Sequence, residues 1–294
     1  MQYNTSCFTI KKMHNALTVD VEDYFHVTAF ERCIKCCDWG NMPLRVVDNT
    51  KRVLDLFDSH SVKATFFILG WVAERCPELV KDISERGHEI ASHGYGHQLV
   101  YNIGPDSFRD DLRRSKQLLQ DLCGKEVEGY RAPSYSITKK SEWALDILIE
   151  EGFKYDSSIF PIMHDIYGMP EAPRFPHIIQ REAGTIKEFP ITTYPLRLLG
   201  RELRLPVAGG GYLRLLPVKF IAKAIKSINK KEGMPAVIYF HPWEIDPGQP
   251  RITAPLKSRF RHYTNLSKTE EKLEFLLTQF KFARQKEVLE NCLC

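Results

Sequence analysis

The feature that most constrains this chain is a rhythm. Short apolar runs alternate with amphipathic stretches, and nearly every run breaks off into a polar, reactive residue. Residues 16–19 lead into Asp20, Glu22 and Asp23; residues 64–69 read as a fully buried strand; residues 88–92 lead into His93 and His97. Residues 127–130 reach Arg131, residues 153–155 reach Asp156, and residues 236–240 end at His241. Helical period fills the gaps over 48–60, 71–86, 107–122, 140–151 and 217–231, with Gly87, Gly124 and Gly152 as stop signals. Strand and helix in this order mean βαβ units and a parallel sheet. The rhythm predicts an α/β fold, a distorted (β/α) barrel of about seven parallel strands whose C-terminal ends converge on one face, where active sites are built.

Composition sets the outer bounds. At 294 residues, 43% hydrophobic and 27% charged, the chain is long enough for one large core, and one domain over 13–294 fits better than two. Residues 1–12 read as an unstructured leader, with Met13 as an alternative start. A net charge of +4, from 41 basic and 37 acidic side chains, argues against a polyanion or nucleic-acid partner. No run approaches the ~20 apolar residues of a membrane span, and residues 1–12 lack the apolar stretch of a secretion signal. The expected location is the cytoplasm or the inner membrane face. Lys219, Lys223, Lys226, Lys230 and Lys231 on the predicted 217–231 helix read as a solvated face, with peripheral contact to an anionic membrane as the alternative. Cys33, Cys36 and Cys37 cluster without a second Cys or His pair nearby, so they read as reduced thiols rather than a zinc site. Oligomeric state has no signal here.

The strand ends carry the chemistry. His93 and His97 stand four apart, and their flanking glycines favour a tight turn beyond a strand. Asp20, Glu22 and Asp23 would repel one another at the end of a buried strand unless a cation compensates. Two histidines and one carboxylate with open positions make a hydrolytic metal site, for zinc first and otherwise cobalt, manganese, iron or nickel. Such an ion polarises an acyl oxygen, a nearby carboxylate takes a proton from water, and a histidine protonates the leaving nitrogen. Arg131 is placed to hold a carboxylate by a bidentate pair. Residues 159–181 read as a long loop over the site.

Five segments then match, in order, the motifs of NodB-type polysaccharide deacetylases, carbohydrate esterase family four: Thr18-Val19-Asp20, His93-x-x-x-His97, Arg131-Ala132-Pro133-Ser134-Tyr135, Tyr155-Asp156-Ser157-Ser158 and Phe240-His241-Pro242. The resemblance covers about residues 13–245, leaving 246–294 as a C-terminal helical extension with a final helix over 269–286. The stretches from Ala16 to Val27 and Gly209 to Pro217, and the tail after Trp243, resemble the subgroup found with exosortase-linked exopolysaccharide loci. The resemblance implies Asp20 as general base, His93 and His97 as metal ligands, Arg131 as the group orienting the base, and His241 as general acid tuned by Asp156. It implies that the backbone around Tyr135 helps hold the oxyanion, and that the substrate is an N-acetylated glycan. One departure stands out: the family has two adjacent aspartates, base then ligand, whereas Val21 follows Asp20 here. Glu22 or Asp23 must then complete the metal site, and strand alternation favours Glu22, on the same face as Asp20. Tyr135, Tyr212 and Trp243 lie near the motifs as candidate sugar platforms, with Pro133 beside them. The Asp-x-Glu pattern and the covering loop also admit a cyclic-amide hydrolase of the allantoinase kind, or a non-catalytic glycan-binding relative.

Overall fold

The first strand, β1 (Asn15–Val21), is buried along its whole length, and this fixes the architecture around it. Leu17, Val19 and Val21 point to an outer apolar layer, while Ala16 points to an inner one, with Thr18 and Asp20 on that same inner face. A strand apolar on both faces needs cover on both faces. The chain supplies it in order: α1 (Val46–Ser59), β2 (Thr65–Ile68), α2 (Gly70–Arg75), α3 (Pro77–Glu85), β3 (Glu89–Ser92), α4 (Val100–Cys123), β4 (Gly129–Tyr130), α5 (Trp143–Glu150) and β5 (Tyr155–Asp156). There follow β6 (His177–Arg181), β7 (Gly184–Glu188), a separate hairpin of β8 (Thr193–Leu198) and β9 (Arg201–Pro206), then α6 (Gly210–Leu215), α7 (Val218–Ser227) and β10 (Val237–Phe240). The C-terminal part holds α8 (Leu256–Tyr263), α9 (Thr269–Gln279), β11 (Phe282–Ala283) and α10 (Gln285–Cys292). This computed structural model describes residues 13–164, 166–198, 201–207 and 209–293. The expected leader, 1–12, lies outside them.

The main sheet runs β10-β1-β2-β3-β4-β5-β7-β6, and every neighbouring pair from β10 to β7 is parallel. The α/β fold with a mostly parallel central sheet is therefore as the rhythm predicts. Among the described residues no ladder joins β7 back to β10, but the seam is spanned. The Val237 amide donates to Thr192 Oγ1 at 2.7 Å, and Gly209 bridges Tyr239. A Cβ at Gly209 would sit 1.7 Å from the Tyr239 carbonyl oxygen, so only glycine closes this seam.

Several elements differ from the sequence expectation. The 71–86 helix breaks at Pro77 into α2 and α3, and α4 begins earlier than expected, kinked at Gly104 (φ +76°) before Pro105. The supposed loop 159–181 ends in the strand β6, paired antiparallel with β7. The expected final helix over 269–286 stops at Gln279, where Phe280 turns extended. Phe282 and Ala283 then pair in parallel with the start of β1, and Val288 and Leu289 of α10 close the inner apolar layer. Among the described residues no helix is long and apolar enough to cross a membrane.

Candidate active site

At the end of β1, Asp20 and Glu22 fall on one side, as alternation requires, and both are almost wholly buried. The charge opposing Asp20 is Arg131, which follows β4 and is 0% exposed. Its Nη1 donates to Asp20 Oδ1 at 2.6 Å and to Thr18 Oγ1 at 2.8 Å. Its Nε donates to the Ser157 carbonyl at 3.2 Å, its Nη2 to Ser157 Oγ at 3.0 Å, and its guanidinium lies 4.1 Å over the Phe67 ring. A buried cation needs this degree of satisfaction. The expected bidentate pair is not formed: one nitrogen serves Asp20, and the others tie the guanidinium to the end of β5. Oδ2 of Asp20 is left facing the cavity side, 3.9 Å from His241 Nε2.

His93 and His97 leave β3 on a turn rather than a helix, with positive φ at Gly94 (+72°) and His97 (+49°). Asp111 of α4 pins this turn by accepting the amides of Tyr95 at 2.7 Å and Gly96 at 3.0 Å. His93 Nδ1 lies 2.8 Å from the Arg131 carbonyl, which can only accept, so Nδ1 carries the proton and Nε2 offers its lone pair. Burial pushes the His93 pKa down to about 4, and the ring is neutral at neutral pH, as a ligand must be. One ligand atom each from Glu22, His93 and His97 lie within 4.8 Å of one another. Glu22 Oε2 is 2.7 Å from His97 Nε2 yet not aligned for a hydrogen bond with it, and it has no other partner. Two acceptors converging at that distance fit a shared cation. Burial pushes the Glu22 carboxyl up, but the imidazoles of His97, His241 and His93 outweigh it and hold it below the usual carboxylate range.

Asp23 is turned elsewhere. It accepts the amides of Tyr24 (2.9 Å), Arg45 (2.7 Å) and Val46 (2.9 Å), so it caps the start of α1 and stands outside the three-donor group. Burial nonetheless raises its pKa to about 6.

His241 follows β10. Its Nδ1 bonds Glu244 Oε1 at 2.7 Å, and its Nε2 lies 3.6 Å from Glu22 Oε1. Glu244 in turn accepts from Arg214 Nε at 2.6 Å. Burial opposes a charge on His241, but the Glu244 hydrogen bond and the carboxylates of Glu22, Glu244 and Asp20 outweigh it and push its pKa up to about 9. The partner expected for His241 was Asp156. That expectation is corrected: Asp156 accepts from Ser158 Oγ at 2.5 Å and the Ser158 amide at 3.2 Å, and burial raises it to about 6 beside Glu188. Ser158 Oγ also takes the Ala132 amide at 2.8 Å, so Asp156 braces the strand end carrying Arg131. Glu244 and Arg214 went unrecognised. The first had a signal, an acid three residues after His-Pro as in a capping box, and the structure shows that box. Arg214, 30 positions away, had none.

The aromatic candidates divide. Trp243 stacks between His241 (5.2 Å between ring centroids) and His262 (4.2 Å), and its Nε1 donates to Glu22 Oε1 at 3.3 Å. It orients the acid and the carboxylate as well as walling the cavity. Tyr135 and Tyr212 line the cavity, whereas Pro133 does not and instead opens the turn that carries Ser134 and Tyr135 at positive φ. The Tyr135 amide donates to the Ala132 carbonyl at 3.0 Å, which tightens that turn. Asp20, Glu22, His93, His97 and His241 all open onto one cavity of about 400 Å³, covered in part by His164, Ile166 and Tyr167 of the loop after β5.

Comparison with known families bears on this arrangement. Residues 36–153 match the Polysaccharide deacetylase family model. Residues 157–290 match a second one, described as a domain of unknown function, DUF3473. The site spans both, with His93, His97 and Arg131 in the first and Arg214, His241 and Glu244 in the second. A peptidoglycan-N-acetylglucosamine deacetylase of Bacillus cereus is 35% identical over 98 residues, 33% of this chain and 36% of that protein. The chain thus spans about a third of the length of the curated relatives it matches first (36% of each). A Mycobacterium smegmatis structure assigned as a polysaccharide deacetylase superposes with a TM-score of 0.60 at 21% identity, covering 94% of this chain and 88% of that one. The PuuE allantoinase does so with 0.59 at 14% identity, covering 94% and 88%. These two likenesses show the fold.

Proposed function

We propose that this chain is a metal-dependent N-deacetylase that releases acetate from N-acetylhexosamine units of a surface polysaccharide or its precursor, of the exosortase-linked exopolysaccharide kind. It would act in the cytoplasm, at or near the inner membrane face. One observation carries the reading: a single cavity sets the Glu22, His93 and His97 donors between a carboxylate held by arginine and an imidazole held protonated by a carboxylate. The match of residues 36–153 to the Polysaccharide deacetylase model and the likeness to the Bacillus cereus peptidoglycan-N-acetylglucosamine deacetylase support the same chemistry.

A divalent ion held by Glu22, His93 and His97, zinc by the character of the donors, would polarise the acetyl oxygen and make its bound water acidic. Asp20 Oδ2, left open because Arg131 holds Oδ1, takes the proton of the attacking water as its oxygen bonds the acetyl carbon. His241 Nε2 gives its proton to the sugar nitrogen as the C–N bond breaks, leaving acetate and a free amine. Glu244 keeps that proton in place until it is needed. Tyr212 and Tyr135 bound the space for the sugar.

Acetate release from N-acetylglucosamine oligomers is the test. The metal-loaded chain should release it, chelation should stop it, and His93→Ala should abolish it. A loaded chain that opens hydantoin or allantoin-type rings and leaves every acetylated amino sugar intact would favour the cyclic-amide reading instead.

A further inference from the structure

The cavity opens between α6, α8 and the loop after β5, and its lining includes Leu215, Arg261 and Ile166 from those three elements. Leu215 and Ile166 are exposed at 45% and 37%. Beside the lining stand Met163, 87% exposed and adjacent in the chain to His164, and Phe260, 62% exposed and adjacent to Arg261. Leu256, 80% exposed, precedes Phe260 by one turn and shares its face of α8. Of nine large apolar side chains left exposed among the described residues, two line this opening and three more lie on the segments that supply its lining. Apolar groups gathered this way mark an interaction surface.

Charge says which kind. Residues 247–269 contain Arg251, Lys257, Arg259, Arg261 and Lys268 and no aspartate or glutamate. Lys257, Arg259 and Arg261 are exposed on α8, between and beside Leu256 and Phe260. The apolar tips come from three separate elements, α6, α8 and the loop after β5, rather than from one stripe along a single helix or strand. Isolated apolar tips with cations among them suit a bilayer interface, where the tips enter the headgroup boundary and the cations meet anionic lipid. We propose that the mouth of the cavity docks on an anionic lipid surface through Leu256, Phe260 and the α8 cations, and that the glycan taken in there is one carried on a lipid. The second clause rests on the deacetylase reading; the docking itself is read without turnover.

The experiment is co-sedimentation of the full chain with vesicles of phosphatidylglycerol and phosphatidylcholine, and with phosphatidylcholine alone. Binding should be at least tenfold weaker without the anionic lipid. Leu256→Glu with Phe260→Glu should cut it at least tenfold, and the milder Leu256→Ser with Phe260→Ser severalfold, while acetate release from soluble oligomers stays unchanged. Lys219→Glu with Lys223→Glu on α7 should leave most binding intact. Failure of the native chain to bind, or loss through the α7 pair rather than the α8 pair, would overturn the proposal. So would a concentration-dependent dimer that the α8 pair dissociates, with no affinity for vesicles. A chain that binds vesicles through α8 but releases no acetate would sink the deacetylase reading and leave the docking standing.

Discussion

The two sides of the cavity hold their proton-transfer groups by different means. Asp20 is held by Arg131, and the groups that fix Arg131 come mostly from strands or their ends, Thr18 of β1, Phe67 of β2 and Ser157 after β5, with Gln285 of α10 as a longer contact. His241 is held by Glu244 and Arg214, and Arg214 Nη1 donates to the carbonyls of His262 (2.6 Å) and Thr264 (3.2 Å) at the end of α8. Lys272 of α9 and Asn265 add hydrogen bonds to the carbonyl of Arg214. The base thus rests mainly on strand ends, with one contact from α10, whereas the acid leans on α6, α8 and α9, all inside the segment that matches the second family model. Barrel strands pair by adjacency, and their ends meet whatever follows. The acid side exists only once the C-terminal third has packed.

Changes on the base side should have the largest effect. Asp20→Asn should lower kcat about a thousandfold with metal content intact, since general-base catalysis contributes roughly 10²–10⁴-fold. Arg131→Met leaves a buried carboxylate unpaired and should cost about 3–5 kcal/mol in denaturant unfolding. A barely destabilised Arg131 variant would mean that the barrel does not need this charge.

On the acid side, Glu244→Gln should cost about ten- to a hundredfold in kcat, with KM nearly unchanged. Glu244, by its hydrogen bond and together with the Glu22 and Asp20 carboxylates, raises the His241 pKa to about 9, and the acid works protonated. Losing that carboxylate therefore moves the alkaline fall of activity to lower pH. The same sign holds for stability: the contribution of His241 is full below about 6.5 and lost as pH rises through about 9, so the variant should lose that alkaline slope. An unmoved alkaline limb would remove Glu244 from its role.

Asp156→Asn should have the smallest effect on turnover, and none on the alkaline limb, because Asp156 does not touch His241. Its raised pKa works on stability in a different window. A carboxyl that holds its proton up to about 6 when folded stabilises below its ordinary value of 3.8 and loses that contribution as pH rises to about 6. The variant should flatten that slope, by on the order of 2 kcal/mol, in urea unfolding across pH 4–6.5.

The same contrast explains what the sequence made legible. Buried parallel strands are apolar runs, so their ends, and with them Asp20, His93, Arg131 and His241, stand out by position. Alternation sufficed to choose Glu22 over Asp23. The ends alone do not say which neighbours meet. Asp156 ends β5, which pairs with β4 and β7, whereas His241 ends β10 beside β1 on the other side of the strand order. The partner of the acid therefore had to come from its own turn. The break at Phe280 and the arrival of Gln285 beside Arg131 (Nη2 to Oε1, 3.5 Å) depend on long-range packing that a helical period over 269–286 conceals.

In the proposed enzyme Glu22, His93 and His97 together hold one divalent ion. Metal analysis of the purified chain and of Glu22→Gln tests it most directly. One ion per native chain, with at least tenfold weaker retention in the variant, is the predicted result; equal metal content in the two would contradict it.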